Sequence, residues 1–333
     1  MKNQWYPLKF DPIYQYRLWG GRKLEHLLSK PLPKDEAIGE AWILSDREDH
    51  ASEVLEGAFK GYTLTQLMKD NSEELMGKLA HQFERFPLLL KFLDCKEVLS
   101  VQVHPSDHQK AYIPKGDTGK TEAWVVLETD KDSRIYAGLK PETNRKNLLE
   151  ALENHQLADR LHGFTPEIGD AIFIHSGTVH TLGGTVVFEV QENSDVTFRL
   201  SDWDRTDPKT GEPRKLQVEE ALDCIDFNQV NIGPVKPMVD AQHPNTEKLF
   251  DNEHFVVNRI KDQSVFKVGY TNEPTILVCL AGAGTLVYDA VDYPINRGEV
   301  MLLPAIIGAG KLQPSHEMIL LQISIPPKKL SNS

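Results

Sequence analysis

The sequence predicts a mainly β protein made of two related sandwich or barrel units, with a few α-helices inserted. Three observations carry that expectation. Short runs rich in Val, Ile, Phe and Leu alternate with Gly, Pro, Asn and Asp, as in Val186-Val187-Phe188, Ile276-Leu277-Val278-Cys279-Leu280 and Thr285-Leu286-Val287-Tyr288. Helical spacing of apolar residues is confined to two stretches, about 62–80 and about 144–162. A Gly-led segment, Gly169-Asp170-Ala171-Ile172-Phe173-Ile174, has a counterpart 129 positions later in Gly298-Glu299-Val300-Met301-Leu302-Leu303.

Taken in order, the first helical stretch rests on Leu64, Leu67 and Met68 followed by Leu75 and Leu79, and the second on Leu148, Leu152 and Leu161 after Asn144. The first Gly-led segment continues through His175-Ser176-Gly177-Thr178-Val179-His180. As a whole it resembles the second cupin motif, G-x5-P-x-G-x2-H, with His175 standing where the motif has proline. The expected fold is therefore two cupin (jelly-roll) units. Pro234, Pro237 and Pro244 interrupt regular structure between Gln229 and Thr246. The expected division is 1–235, a catalytic unit carrying the helical insertions, and 236–333, a second, metal-free unit.

A chain of 333 residues with 40% hydrophobic and 26% charged residues can bury a sizeable core. The 37 basic residues are outnumbered by 49 acidic ones and are scattered, which argues against a nucleic-acid partner. Cys95, Cys224 and Cys279 are odd in number and without a C-x-x-C pair, so neither a disulfide framework nor a cysteine metal site is expected. Met1-Lys2-Asn3-Gln4-Trp5-Tyr6-Pro7 lacks the apolar core of a signal peptide, and no apolar run reaches membrane-spanning length. The expectation is a cytoplasmic protein with a small-molecule ligand and neither a membrane nor an obligatory protein partner.

The chemistry concentrates in Val98-Leu99-Ser100-Val101-Gln102-Val103-His104-Pro105. Strand periodicity places Ser100, Gln102 and His104 on one face and Val101 and Val103 on the other. In Lys120-Thr121-Glu122-Ala123-Trp124-Val125-Val126, Lys120 and Glu122 share a face while the chain runs on into a core. A carboxylate entering a core wants a cation or a metal. His180 arrives at the end of the Gly-rich segment, and Gln102, His104, Glu122 and His180 together offer two imidazoles and two oxygens. That set suits Zn²⁺ with an open position, and Fe²⁺, Mn²⁺ or Co²⁺ in similar geometry. His81, His108, His155 and His254 lack such company and read as surface or packing residues.

Glu189 and Arg199 are ten positions apart, a parity that allows one face, and both have apolar neighbours. Arg199 is the candidate for offsetting a developing oxyanion, because a guanidinium keeps its charge. Lys91 interrupts the apolar run Pro87-Leu88-Leu89-Leu90-Lys91-Phe92-Leu93. It is either an edge-strand gatekeeper or an unpaired ammonium facing an anionic ligand.

These residues, with Arg17-Leu18-Trp19-Gly20-Gly21, Gly39-Glu40-Ala41-Trp42, Gly177-Thr178-Val179-His180 and Ser194-Asp195, resemble the type I mannose-6-phosphate isomerases, zinc enzymes, in their short bacterial form. The resemblance spans most of the chain. It implies a metal-dependent aldose–ketose isomerase interconverting mannose 6-phosphate and fructose 6-phosphate through an enediolate. It further implies one Zn²⁺ per chain on Gln102, His104, Glu122 and His180, a catalytic Arg199, and Ser100, Lys91 and Lys120 in the substrate and phosphate pocket, with Lys120 also in the catalytic set. The general base stays open among Glu189, a zinc-bound hydroxide and a nearby histidine. The competing readings are an Fe-dependent cupin oxygenase, which would more typically present three histidines and a glutamate, and a non-enzymatic sugar-binding cupin.

Overall fold

The computed structural model describes residues 5–328, so Met1 to Gln4 of the N-terminal reading lie outside the described residues. The strands up to Ser201 form one nine-stranded sheet, and those from Met238 onward form a six-stranded and a four-stranded sheet. Every pairing between named strands is antiparallel. The chain is mainly β, as its punctuation predicts.

The strand His180–Glu192 organises the first sheet. It pairs on one side with Leu88–Cys95 and on the other with Glu122–Leu139, and its first residue lies opposite Gln102 of the short strand Val101–Val103. Val101–Val103 pairs in turn with Phe198–Ser201, placing Gln102 opposite Arg199. Because opposed residues in an antiparallel pair share a face, one register collects Lys91, Glu189 and Trp124, and a second collects Gln102, His180 and Arg199.

Residues 62–80 contain Leu64–Asp70, Ser72–Met76 and a 3₁₀ turn at Gly77–Leu79, the first helix opened by a reciprocal cap between Thr63 and Gln66. The second stretch is shorter than its apolar spacing predicts. Its helix, Arg145–Glu153, is capped by Asn144, and the chain then passes His155 at φ 56 and a 3₁₀ turn before Leu161 starts a strand. A left-handed residue ends an α-helix, so Leu161 is presented by a strand instead. Two short helices, Lys23–Leu28 and Val218–Cys224, have too few turns for periodicity to reveal.

One apolar cluster crosses the expected division, joining Leu44, Leu67, Phe92 and Phe188 to Phe250, Phe255, Ile276 and Leu302. Leu8 and Leu302 exchange backbone hydrogen bonds, so an early residue of the chain is bridged to a strand of its last third. Among the described residues no helix is long and apolar enough to cross a membrane. All three cysteines are buried and free.

Candidate metal centre and substrate cavity

His104, Glu122 and His180 converge in the first unit, each no more than 1% exposed. His180 reaches this place through a turn at Gly177, whose φ of 83 suits glycine and whose N–H donates to the His104 carbonyl at 2.8 Å. His175 forms part of the same turn, its carbonyl accepting the Thr178 N–H, and its exposed ring meets Phe173 edge to face. Histidine in place of the motif's proline therefore leaves the turn intact.

Both imidazoles are anchored from behind. The Nδ1 of His104 lies 2.7 Å from the Val196 carbonyl, and that of His180 lies 2.9 Å from the Thr178 carbonyl. A carbonyl only accepts, so each Nδ1 carries a proton and Nε2 is the ring nitrogen left for the cluster. The two Nε2 atoms face Glu122, at 3.5 Å for His104 and 3.2 Å for His180. Neither Glu122 oxygen has a hydrogen-bond partner although both are buried. Burial, and then the Lys120 ammonium, lower the His104 pKa to about 3, so its imidazole is neutral. Burial opposes ionisation of Glu122, yet Lys120, His104 and His180 outweigh it and hold the carboxyl well below its ordinary range. Two imidazoles and a buried carboxylate, converging with their ligand atoms within 4.8 Å of one another, fit a divalent cation. Gln102 stands beside them, its Nε2 3.1 Å from His180 Nε2 and its Oε1 accepting from Ser100 at 3.4 Å. Turning the amide over would bring the oxygen to the cluster.

A cavity of about 430 Å³ adjoins this cluster, lined among others by Lys91, Ser100, Gln102, Lys120, Glu189 and Arg199. Lys120 Nζ lies 3.0 Å from Glu122 and 3.3 Å from His104 Nε2. Burial works against its charge, but Glu122, Glu189 and Asp195 outweigh it and raise the ammonium pKa. Glu189 receives a hydrogen bond from Trp124 Nε1 at 3.0 Å and faces Lys91 at 3.3 Å. Burial raises its carboxyl pKa, Lys91 being the chief opposing influence. Arg199 has a buried Nε without a partner, and among the described residues it makes no ion pair.

The strand order corrects the reading of Lys91. Leu88–Cys95 is hydrogen-bonded on both sides, to Ile38–Leu44 and to His180–Glu192, so Lys91 guards no edge. Nor is it unpaired, since Glu189 and Glu40 lie 3.3 and 3.9 Å away and the Trp42 ring is 5.0 Å below it.

Sequence reasoning assigned no role to Arg17, Glu40, Asp195 or Arg214, which also line the cavity. Glu40 accepts from Arg17 Nε and Nη2 at 2.8 and 3.1 Å and from Trp42 Nε1 at 2.6 Å. Burial disfavours this carboxylate, but Arg17 and Lys91 overcome that and lower its pKa to about 2. The available signal was the pair of Gly-containing segments around Arg17 and Glu40. His254 is not a simple packing residue either: its ring lies 3.3 Å from Glu192, and with Asp107 they form a second cluster of metal-binding types. His81, His108 and His155 are exposed.

Residues 8–157 match the model of the phosphomannose isomerase type I catalytic domain. The mannose-6-phosphate isomerase ManA of Bacillus subtilis is 31% identical over 325 residues, 94% of this chain and 98% of that one. A mannose-6-phosphate isomerase of Streptococcus mutans is 30% identical over 315 residues, covering 94% and 97%. The crystal structure of the mannose 6-phosphate isomerase from Bacillus subtilis superimposes with a TM-score of 0.88 at 27% identity, over 96% of this chain and 100% of that chain. On this similarity, carried over nearly its full length, the chain belongs to the type I phosphomannose isomerase family.

Proposed function

We infer that the chain interconverts mannose 6-phosphate and fructose 6-phosphate, as an aldose–ketose isomerase that depends on a metal. The observation that carries this reading is the buried Glu122 carboxylate, faced by two imidazole nitrogens and by Lys120, at the side of a polar cavity. We assign Zn²⁺, one per chain, to His104, Glu122 and His180, with Gln102 as the fourth donor. A cation there supplies Lewis acidity to the substrate's carbonyl and hydroxyl oxygens.

The chain's own groups account for the rest. Starting from open-chain mannose 6-phosphate, Glu189 takes the proton from C2 and returns it to C1, while a hydroxyl proton passes from O2 to O1; the carbonyl thereby moves from C1 to C2. Its pKa is raised by burial, which makes it a stronger base than an exposed carboxylate. Arg199 offsets the negative charge that develops on the enediolate oxygens. Lys120 keeps its proton and acts as a fixed cation beside them. Ser100 and Lys91 are assigned to substrate contacts with Lys120.

Residues 1–235 are read as the catalytic unit and 236–333 as its metal-free companion, the whole acting in the cytoplasm without nucleic acid or an obligatory protein partner. An oxygenase reading is disfavoured because the cluster contains two histidines where that chemistry more typically uses three. Incubating the protein with mannose 6-phosphate, with and without chelator, and assaying fructose 6-phosphate tests the proposal. Absence of product from the metal-loaded protein would sink it.

A further inference from the structure

We propose that Asp107, Glu192 and His254 form a second divalent-metal site, apart from the cluster of His104, Glu122 and His180, that takes a transition ion such as Zn²⁺ and fastens the last third of the chain to the segment carrying Lys120 and Glu122. Three distant segments supply the donors. Asp107 lies just past His104, after the strand Val101–Val103; Glu192 ends the strand that begins at His180; and His254 sits in the turn between the strands Thr246–Asp251 and Val256–Asp262. Their ligand atoms lie within 4.8 Å of one another, and His254 Nδ1 is 3.3 Å from Glu192 Oε1. Two donors each about 2.1 Å from a tetrahedral ion are separated by roughly 3.4 Å. The His254–Glu192 pair already has that spacing, and Asp107, the exposed member, is the one with freedom to close.

Each donor is held from behind. Asp107 Oδ1 accepts the Gly119 N–H at 2.8 Å and Glu192 Oε2 accepts the Thr121 N–H at 2.7 Å, so one short run of backbone fixes an oxygen of each carboxylate and leaves the other for the cluster. Asn252 Oδ1 accepts the His254 and Phe255 N–H groups at 2.8 and 3.2 Å, and Phe255 is buried against Phe173 and Phe250, which fixes the turn. Glu192 is 6% exposed, and apart from facing the His254 ring its Oε1 has no hydrogen-bond partner among the described residues. Nor, among them, does a Lys or Arg lie within 4.0 Å of either carboxylate. Burial, and then Asp107, push the Glu192 pKa up to about 8, with Glu253 adding to the repulsion. Burial likewise lowers the His254 pKa, which favours the uncharged ring that a metal requires. Two crowded carboxylates without a cation in contact, joined by an imidazole, make the mixed donor set of a borderline ion; Ca²⁺ would find too few oxygens. With three protein donors, one of them on an exposed side chain, the ion should exchange more readily than the one assigned to His104, Glu122, His180 and Gln102.

The test is calorimetric titration of the full chain with Zn²⁺ alone, starting from protein that keeps only its tightly bound equivalent after desalting, for wild type, Glu192→Gln and His254→Ala. Wild type should take up one further equivalent, weaker than the first, and its Tm should rise by a few degrees at about a hundredfold excess over the dissociation constant. Glu192→Gln keeps an oxygen for the Thr121 N–H while removing the charge, so it should fold and lose at least about tenfold in affinity for the second ion. His254→Ala should lose the second equivalent and the rise in Tm, and both variants should keep the first equivalent by elemental analysis. Should His254→Ala disturb its turn, Glu192→Gln, which leaves the turn untouched, decides the matter. A wild type that takes up no second equivalent, or a second equivalent held at full affinity in Glu192→Gln, would overturn the proposal and leave Glu192 and His254 as a pair sharing a proton. Equal uptake of Ca²⁺ would overturn the assigned class of ion. None of these readouts involves turnover, so the site stands or falls separately from the isomerase reading.

Discussion

Replacing Glu40 by Gln tests the charge network beneath the cavity. The side chain is 8% exposed and accepts three N–H groups, two from Arg17 and one from Trp42, with Lys91 at 3.9 Å. A carboxyl moved from an ordinary 4.5 to about 2 in the folded state contributes roughly 3 kcal/mol. The sign follows from the depressed folded pKa: the stabilisation is fully present above about pH 5 and is lost as pH falls from 4.5 toward 2. Arg17 can regain some water and Lys91 keeps Glu189, so the loss belongs near the low end of the range of about 3–5 kcal/mol for breaking a buried pair. Urea unfolding of metal-stripped wild type and Glu40→Gln should therefore differ by roughly 3 kcal/mol at pH 7. The gap should shrink steadily through pH 4 to 3. A difference below about 1 kcal/mol at pH 7, or one that does not change with pH, would show that the network stores no such energy.

His104→Ala and Glu122→Ala should each lose the bound metal and turnover while remaining folded, as checked by elemental analysis and circular dichroism; full activity in metal-free His104→Ala would refute the assignment. Because Lys91 lowers the Glu189 pKa, Lys91→Met should move the acidic limb of the kcat/KM profile to higher pH, and an unmoved limb would exclude Glu189 as the base. Tag-free protein should hold about one tightly bound metal per chain, and Ala309→His, at the position matching His180 in the internal repeat, should not add a second. Among the described residues, the depression at Ala309 is lined by Val265, Phe266, Lys267, Gly310 and Lys311, which include no imidazole, carboxylate or thiol.

The metal cluster was legible because each of its members carries a local signal: alternation around His104, a carboxylate leading into a core at Glu122, and a Gly-rich turn before His180. Lys91 was not, because a strand's place in a sheet depends on partners far away. Its contact with Glu189 joins residues 98 positions apart and exists only in the register that sets Leu88–Cys95 against His180–Glu192. Glu40 is recognised by Arg17 across one strand pair and by Lys91 across the next, so its role appears only when three strands are aligned. Arg214 lies on a loop between Ser201 and Val218, where no periodicity marks a face.

The three buried carboxylates at and beside the cavity show why one of them is fitted to move protons. All are desolvated, and burial alone would raise each pKa. Glu40 escapes through a bidentate arginine and an indole donor, and Glu122 through Lys120 and the two histidines. Glu189 has one indole N–H and a lysine that it shares with Glu40, and Glu122 and Glu40 both repel its charge. Burial, with the repulsion of Glu122 and Glu40, outweighs Lys91 and Lys120, which both lower its pKa. Residues whose environments push like groups apart in this way divide the labour of acid–base chemistry, and here the division leaves a carboxyl of raised pKa next to a metal-binding one.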